Sequence, residues 1–242
     1  MNFDPKTIIQ PLQDADPQAR GFVTVQERVY RELRTALVQG QLAPGRPVTL
    51  RGLAEMLNVS PMPVRDAVRR LIAERALMQL SNRRVAVPTM SPETFDEICR
   101  ARLALEPEAA TRALPGIDDR RLALLIELDK RCSGAMESGN VEHYMQTNQA
   151  FHFTLYTSVP QQVYMSMIES LWLQFGPFMR TVVGRWGTSR LVDQHQKAIK
   201  AIQSRNRRLL KEAIKTDILH GMRIIGEQVH NPHIAPDRNH HE

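Results

Sequence analysis

Hydrophobic residues recur along this chain with two different spacings. Between residues 25 and 88, three short segments repeat every three or four residues, and two β-like pieces follow them at 78–80 and 85–87. This order predicts three helices and then a β-hairpin. Beyond residue 91 the helical spacing continues alone, over 92–113, 117–138, 141–157, 161–183, 188–203 and 206–229. The chain is therefore predicted to be mainly α, with one small β-hairpin in its N-terminal part, followed along the chain by an all-α helical bundle.

Capping residues and prolines mark the ends of these elements. Thr49 can cap the second helix, and Pro61 suits the first turn of the third, where a missing N–H costs nothing. Pro107 is expected to kink or divide its helix, and Pro177 to kink another. Together with the polar ends of the chain, these signals predict four parts: a flexible N-terminal tail at 1–20, a first domain at 21–90, a helical domain at 91–229 and a C-terminal tail at 230–242.

Positive charge is concentrated in the first domain. The 242 residues include 32 Lys+Arg and 26 Asp+Glu, a net charge of +6, and residues 20–90 hold 12 basic against 5 acidic side chains. A basic module beside a nearly neutral one suggests that the first meets a polyanion, although a solvated basic face would look the same. Aromatic residues make up only 5% of the chain, which argues against a single-strand binder built on stacked bases.

Several other classes of protein are disfavoured by the composition. The two cysteines, Cys99 and Cys132, provide neither a disulfide framework nor a thiolate zinc site. No apolar run approaches the roughly 20 residues that a membrane helix needs. The polar stretch from Met1 to Arg20 lacks the apolar core of a signal peptide. We therefore expect a reducing, cytoplasmic setting.

The first domain has the element order of a winged helix-turn-helix. In that fold the helix at 61–74 would lie in the major groove, with its N-terminal residues facing base edges. Arg65, at the leading end, is placed to bridge two acceptors of guanine, and Arg69, one turn later, is placed for phosphate. Arg51 begins the preceding helix, and Arg83 lies at the tip of the hairpin. An ordinary solvated surface remains the alternative for these arginines.

Three motifs lie in register in this domain: G-x-L-x-P-G from Gly40, L-A-x-x-L-x-V-S from Leu53 and P-V-R-x-A-x-x-x-L from Pro63. Through them, residues 25–88 resemble the DNA-binding domain of GntR-family bacterial transcription regulators. The resemblance implies contacts with double-stranded operator DNA at three positions: Arg51, Ser60 and Arg65.

Two positions depart from the family pattern at the start of the third helix. Pro61 stands where the family often has arginine, and Met62 stands in place of a threonine. Because Met62 occupies the position of that threonine, it is still counted among the residues expected to contact DNA. One base or phosphate contact is expected to be lost, so the operator sequence cannot be copied from other members.

The helical domain contains residues with metal-binding chemistry. Asn148 and His152 are four residues apart on one predicted helix and so share a face. His195 and His220 lie on later helices. Three imidazoles and an oxygen ligand that converge inside a bundle would suit Zn²⁺, Ni²⁺ or Mn²⁺. Three separate histidines, each satisfied in the core or at the surface, are the alternative.

Four segments of this domain carry a second resemblance: RARLALEPEAATRA, NQAFHFTLY, DQHQKAIKAI and DILHGM. Through them, residues 92–228 resemble the FCD, the helical ligand-binding domain of the FadR subfamily. The resemblance implies a divalent metal, with Zn²⁺ as the expected ion, held at four positions: Asn148, His152, His195 and His220. The family has Asp or Asn at the first of these positions, and Asn148 is the neutral form, so the metal affinity or preference is expected to differ from that of members with aspartate.

Arg102 is the expected effector-binding residue of the same domain. The resemblance implies that it faces the pocket and pairs with the carboxylate of a small organic acid that also touches the metal, for which a planar guanidinium is suited. A helix-surface salt bridge with Glu106, four residues later, is the alternative.

Together these features predict a sequence-specific transcription regulator that is not an enzyme. We expect a homodimer, a repressor by family habit, whose operator affinity is controlled by an organic acid bound with a divalent metal. One alternative is a helical metalloenzyme fused to a nucleic-acid-binding module. A di-iron site needs Glu-x-x-His on two helices, whereas Asp217-x-x-His220 and Glu227-x-x-His230 share one predicted helix. The second alternative to a transcription regulator is a nonspecific architectural DNA binder, but such a protein would not need the large neutral helical half.

Overall fold

Contacts divide the chain into two compact units. The computed structural model describes residues 24–81, 84–186 and 194–230. Of these, the first unit contains those up to Thr89 together with Trp172–Pro177, and the second contains the remainder. Within the described residues, no helix combines the length and the apolar character that crossing a membrane requires.

The first unit is the winged helix-turn-helix predicted from the sequence. Its elements are, in chain order, α1 (Val25–Val38), β1 (Val48–Thr49), α2 (Leu50–Leu57), α3 (Pro61–Ala73), β2 (Met78–Gln79) and β3 (Arg84–Ala86). The strands form an antiparallel sheet in the order β1-β3-β2, in which Val48 pairs with Val85 and Met78 with Ala86. The hairpin of β2 and β3 is the wing.

The apolar faces of α1, α2 and α3 meet in the core of this unit. The hydroxyl of Thr49 caps α2 by accepting a hydrogen bond from the Gly52 N–H at 2.9 Å. Asn58 ends α2 in the left-handed region, with φ 53°, and Pro61 opens α3. The fully buried side chains of the three helices are Val29, Leu33, Leu37, Leu53, Leu57, Val64 and Leu71. This core fixes α3 and leaves its opposite face exposed.

The second unit consists of helices. Its elements are α4 (Pro92–Ala113), a single 3-10 turn (Leu114–Gly116), α5 (Asp119–Glu137), α6 (Val141–Tyr156), α7 (Gln162–Trp186) without its stretch Trp172–Pro177, α8 (His195–Gln203) and α9 (Arg207–His230). The helix α4 packs against α9, α5 against α6, and α8 against both α9 and α5. These packings bring side chains of α4, α6, α8 and α9 into one interior.

Some predicted features differ from the structure or lie outside its described part. The helix α4 continues through Pro107 and α7 through Pro177, so of the kink or division expected at Pro107 the division does not occur. The two-residue strand β1 was not predicted, because its pairing with β3 depends on residues far along the chain. The parts of the prediction outside the described residues are the tail at 1–20, the start of the helix predicted at 188–203, residue Arg83 and the tail beyond His230.

Replacing Gly116 with alanine is expected to destabilise the second unit. A Cβ at this position would lie 2.2 Å from the Ser158 carbonyl oxygen, and backbone can yield only by shifting. Overpacking of this kind costs roughly 1–3 kcal/mol, which urea unfolding measures. Gly134→Ala is the matched control, because nothing lies within 4 Å of its added Cβ. In the helix α5 it should leave stability unchanged or raise it by up to about 1 kcal/mol; equal effects of the two changes would contradict the expectation.

Candidate functional site

The leading half of α3 presents polar side chains to solvent. Arg65 and Arg69 are exposed, while Val64 and Val68 on the other face of the helix are buried. Within the described residues, neither guanidinium makes a hydrogen bond or an ion pair. Ser60 caps the start of α3 by position, but its hydroxyl makes no cap hydrogen bond. These donors are therefore directed to the surface, not used within the fold.

Arg51 and Met62 are exposed beside this surface. The Arg51 side chain is 87% exposed, and its Nε lies 3.0 Å from Oε1 of Glu55, which is itself well exposed. An exposed i,i+4 pair contributes little to stability, so the guanidinium is available to a stronger anion. Met62 is 61% exposed. A surface cavity of about 420 Å³ at the turn is lined by residues that include Arg51 and Ser60.

Arg70 differs from the other arginines of α3. Its guanidinium lies 3.4 Å from the centre of the Tyr30 ring, and its Nη1 lies 2.9 Å from Oε2 of Glu27. The Tyr30 hydroxyl donates to Glu74, and burial together with this hydrogen bond raises the pKa of Tyr30 to about 12. This cluster joins α1 to α3, so Arg70 acts in holding the helix. In the sequence, the charge of Arg70 and its place in the helical repeat did not distinguish its role from those of Arg65 and Arg69.

Inside the second unit, three side chains from three helices converge. His152 on α6, His195 at the start of α8 and Asp217 on α9 each offer one ligand atom, and these atoms lie within 4.8 Å of one another. The His152 Nε2 is 3.1 Å from Oδ2 of Asp217. The rings of His152 and His195 are 5.2 Å apart. In the described part of the chain, this is the group of His, Cys, Asp and Glu side chains that could hold a metal ion.

The electrostatics of this cluster suit a divalent cation. Burial lowers the pKa of His195 to about 3, so its imidazole is neutral. Burial, the largest single effect, raises the pKa of Asp217, but the hydrogen bond from His152, the neighbouring imidazoles and the backbone N–H of Gln194 together outweigh it and hold that pKa at about 2. The backbone N–H of Gln194 also donates to Asp217 Oδ1 at 2.8 Å. The cluster thus combines imidazole nitrogen with an ionised carboxylate, which is a donor set that Zn²⁺ and related ions accept.

Distances and neighbours fit such an ion as well. In a tetrahedral zinc site with bonds of 2.0–2.1 Å, adjacent ligand atoms lie about 3.3 Å apart, close to the 3.1 Å between His152 and Asp217. Metal-binding histidines usually have a polar group behind the ring. Asp129, which is buried, lies 3.7 Å from Nδ1 of His195. The residues present therefore fit a divalent metal.

Two of the four residues predicted as ligands belong to this cluster. His152 and His195 are in it, and Asn148 is buried one turn before His152 on α6. His220 is not part of the group: its Nδ1 lies 3.4 Å from the side-chain nitrogen of Gln194. Asp217, one turn earlier on α9, is in the group instead. Its sequence signal was Asp217-x-x-His220, which was considered above only as part of a di-iron motif.

Arg102 is deeply buried and ion-paired. Its side chain is 5% exposed, and its Nε lies 2.5 Å from Oε1 of Glu106, which has no exposed side-chain surface. The Arg102 Nη1 also lies 3.5 Å from the sulfur of Met222. The i,i+4 pair considered from the sequence is therefore present, but in the interior and not on the helix surface.

A hydroxyl group that sequence reasoning missed lies next to this pair. Tyr156, which is fully buried, donates to Oε2 of Glu106 at 2.9 Å, and Nδ1 of His152 lies 3.1 Å from the same hydroxyl oxygen. Burial and the charge of Glu106 raise the pKa of Tyr156 well above its usual value, so the hydroxyl keeps its proton.

Two protein-family models match the chain. The model described as bacterial regulatory proteins, gntR family, matches residues 25–87, and the FCD domain matches residues 97–220. The HTH-type transcriptional regulator McbR of Escherichia coli (strain K12) is 33% identical over 155 residues, which cover 64% of this chain and 70% of that protein. The gluconate operon transcriptional repressor of Bacillus subtilis (strain 168) is 23% identical over 227 residues, 88% of this chain and 87% of that protein.

Solved structures show the same architecture. The structure titled E. coli McbR/YncC has a TM-score of 0.81 and 26% sequence identity, and the match covers 86% of this chain and 99% of that one. A putative GntR transcriptional regulator from Rhodococcus sp. RHA1 matches with a TM-score of 0.67 at 20% identity, over 83% of this chain and 96% of that chain. At that identity the second likeness concerns the fold alone.

Proposed function

This chain belongs to the gntR family of bacterial regulatory proteins, in its FadR-like branch with an FCD domain, and from this premise we propose that it is a metabolite-responsive repressor. The family and the relatives above are DNA-binding transcription regulators and not enzymes. The metalloenzyme alternative is therefore set aside. Repression, the homodimer, the organic-acid effector and the metal are our proposals for this chain.

Operator binding is assigned to the exposed polar surface of α2 and α3 and to the tip of the wing. Six residues are proposed to contact DNA: Arg51, Ser60, Met62, Arg65, Arg69 and Arg83. The single observation that supports this best is that Arg65 and Arg69 are exposed and unpaired within the described residues. Arg65, on the leading turns of α3, would bridge guanine N7 and O6, and Arg69 would meet phosphate.

A homodimer would place two copies of α3 on one duplex. Two such helices read half-sites whose centres are one helical turn, about 34–36 Å, or a multiple of it apart. The operator is therefore proposed to be palindromic. A change in the spacing of the two helices would then change operator affinity without altering either DNA-contacting surface.

Effector control is assigned to the interior of the second unit. We assign the cation to His152, His195 and Asp217, with Zn²⁺ as the ion. Asn148 and His220 are the other two ligands that the family resemblance implies, and variants of α9 distinguish the two ligand sets. A bound divalent cation would keep a net positive charge beside the one ionised carboxylate, that of Asp217. The carboxylate of an organic acid can neutralise this remaining charge. Arg102 is proposed to bind the carboxylate of that acid, in competition with Glu106, which lies 2.5 Å away. Because binding couplings are reciprocal, an acid that weakens DNA binding must bind less tightly to the DNA complex.

A binding experiment with the full chain tests this function. Duplex DNA from upstream of its own gene should bind at least about 10³-fold more tightly than random duplex of equal length and base composition. Both affinities should fall steeply with salt, because phosphate contacts release counterions. In the presence of Zn²⁺, an acid from a panel of small carboxylates should weaken specific binding by roughly 5- to 150-fold. Equal affinity for both duplexes would favour the architectural alternative, and no response to any acid would contradict the proposed effector class.

A further inference from the structure

A continuous buried chain of polar contacts joins α4 to the metal-binding cluster. It runs from Arg102 to Glu106 on α4 and then to Tyr156 and His152 on α6, where Nε2 of His152 reaches Asp217 on α9. Arg102 and Glu106 are one helical turn apart, and so are His152 and Tyr156, so each helix presents its pair on one face. Four of these five side chains are buried, and Asp217 is nearly so.

The directions of the hydrogen bonds follow from the number of protons available. The Glu106 carboxylate, paired with a guanidinium, can only accept. The Tyr156 hydroxyl has one proton, and it donates that proton to Glu106. Its oxygen can then take part in the 3.1 Å contact with His152 only by accepting from Nδ1–H. With Nδ1–H engaged by the Tyr156 oxygen, Nε2 is the nitrogen that faces Asp217, 3.1 Å away, and it is the one that a bound metal would take in place of its proton.

We propose that Tyr156, oriented by Glu106, is a positioning residue that fixes the tautomer and ring direction of His152 for metal binding. The inference rests on the metal site of the proposed function and adds a residue that does not itself touch the ion. A group behind a ligand histidine sets which nitrogen is available and raises its basicity. The competing explanation is that the hydroxyl is only a satisfied core group, in which case it contributes to stability and not to metal affinity.

Tyr156→Phe tests the proposal because it removes the hydroxyl and keeps the ring. Zn²⁺ alone is titrated into the full chain in competition with a chromogenic chelator. Loss of a group behind a ligand histidine typically weakens metal binding about 10- to 100-fold, and we expect a decrease in this range. Tyr30→Phe is the matched control, since it removes a hydroxyl that donates to Glu74 within the first unit. Its Zn²⁺ affinity should equal that of the wild type.

Glu106→Gln provides a second test of the same chain of hydrogen bonds. The amide offers N–H donors to the Tyr156 oxygen, which frees the hydroxyl to donate to Nδ1 of His152 and leaves the proton on Nε2. Zn²⁺ affinity should therefore fall although every ligand side chain is intact. Glu108→Gln is its control on the same helix, because Glu108 is partly exposed and pairs with Lys211 and Arg112.

The outcomes separate this inference from the metal site itself. If the wild type binds Zn²⁺ and Tyr156→Phe binds it equally well, the positioning role is overturned, whatever happens to thermal stability. A lower melting temperature of the metal-free variant with unchanged Zn²⁺ affinity has the same meaning. If Tyr156→Phe does not fold, unchanged affinity in Glu106→Gln overturns the proposal. If the wild type itself binds no Zn²⁺, the metal site of the proposed function fails instead.

Discussion

Replacing His195 with alanine is expected to leave the purified chain without stoichiometric divalent metal. His195 has no exposed surface and is stacked on the ring of Phe151 at 3.8 Å, which holds it in the interior beside His152. Its loss leaves one imidazole and one carboxylate, too few to hold zinc against a chelator. Elemental analysis after purification measures the metal content, and full occupancy of the variant would remove the proposed site.

Two residues of α9, Asp217 and His220, allow the same experiment to distinguish between two possible sets of metal ligands. Asp217→Asn keeps the volume of the side chain and removes its charge, and we expect it to lose most of the metal, as His195→Ala does. His220→Ala should retain it, because Nδ1 of His220 faces Gln194 and His220 is not part of the cluster. The opposite result, retention in Asp217→Asn and loss in His220→Ala, would favour the ligand set implied by the family resemblance. Thermal unfolding of each variant in chelator controls for loss of fold.

Replacing Arg65 with alanine is expected to weaken operator binding and relax its base preference. Arg65 is exposed on the leading turns of α3, and its loss removes a bidentate contact with guanine without disturbing the buried face of Val64 and Val68. Such a contact is worth roughly 1–3 kcal/mol, or about 5- to 150-fold in affinity. Fluorescence anisotropy with the operator and with single-base variants measures both effects.

Two further variants show whether the loss of affinity in Arg65→Ala reflects a contact with a base. Arg69→Ala, as a phosphate contact, should weaken binding to all sequences equally and reduce the salt slope by about 1. Arg131→Ala removes an exposed arginine from α5 in the second unit and should change neither quantity. An Arg65→Ala variant that loses affinity equally for every sequence would mark Arg65 as a phosphate contact instead. Normal binding by that variant would show the assignment of α3 to be wrong.

The sequence predicted the start of a helix well where a neighbouring capping residue sets it. The sequence Ser91-Pro92-Glu93 predicted a helix at 92–113, and α4 has these bounds, since the Ser91 hydroxyl accepts from the Thr94 N–H. Thr49 caps α2 as expected. The consequence of Pro107 was predicted less well. A proline removes one backbone hydrogen bond of a helix, yet α4 continues through Pro107, which is buried.

The sequence by itself determined the front winged helix-turn-helix, the helical character of the rest and the exposure of Arg65, because these depend on capping, helical periodicity and a basic face within a few dozen residues. Only the tertiary structure decided which side chains meet. It brought Asp217, and not His220, to His152 and His195, buried the pair of Arg102 and Glu106, and joined it to His152 through Tyr156. The reason is geometric: the register between packed helices selects one turn over the next, and a shift of three residues is invisible in a pattern that repeats every 3.6.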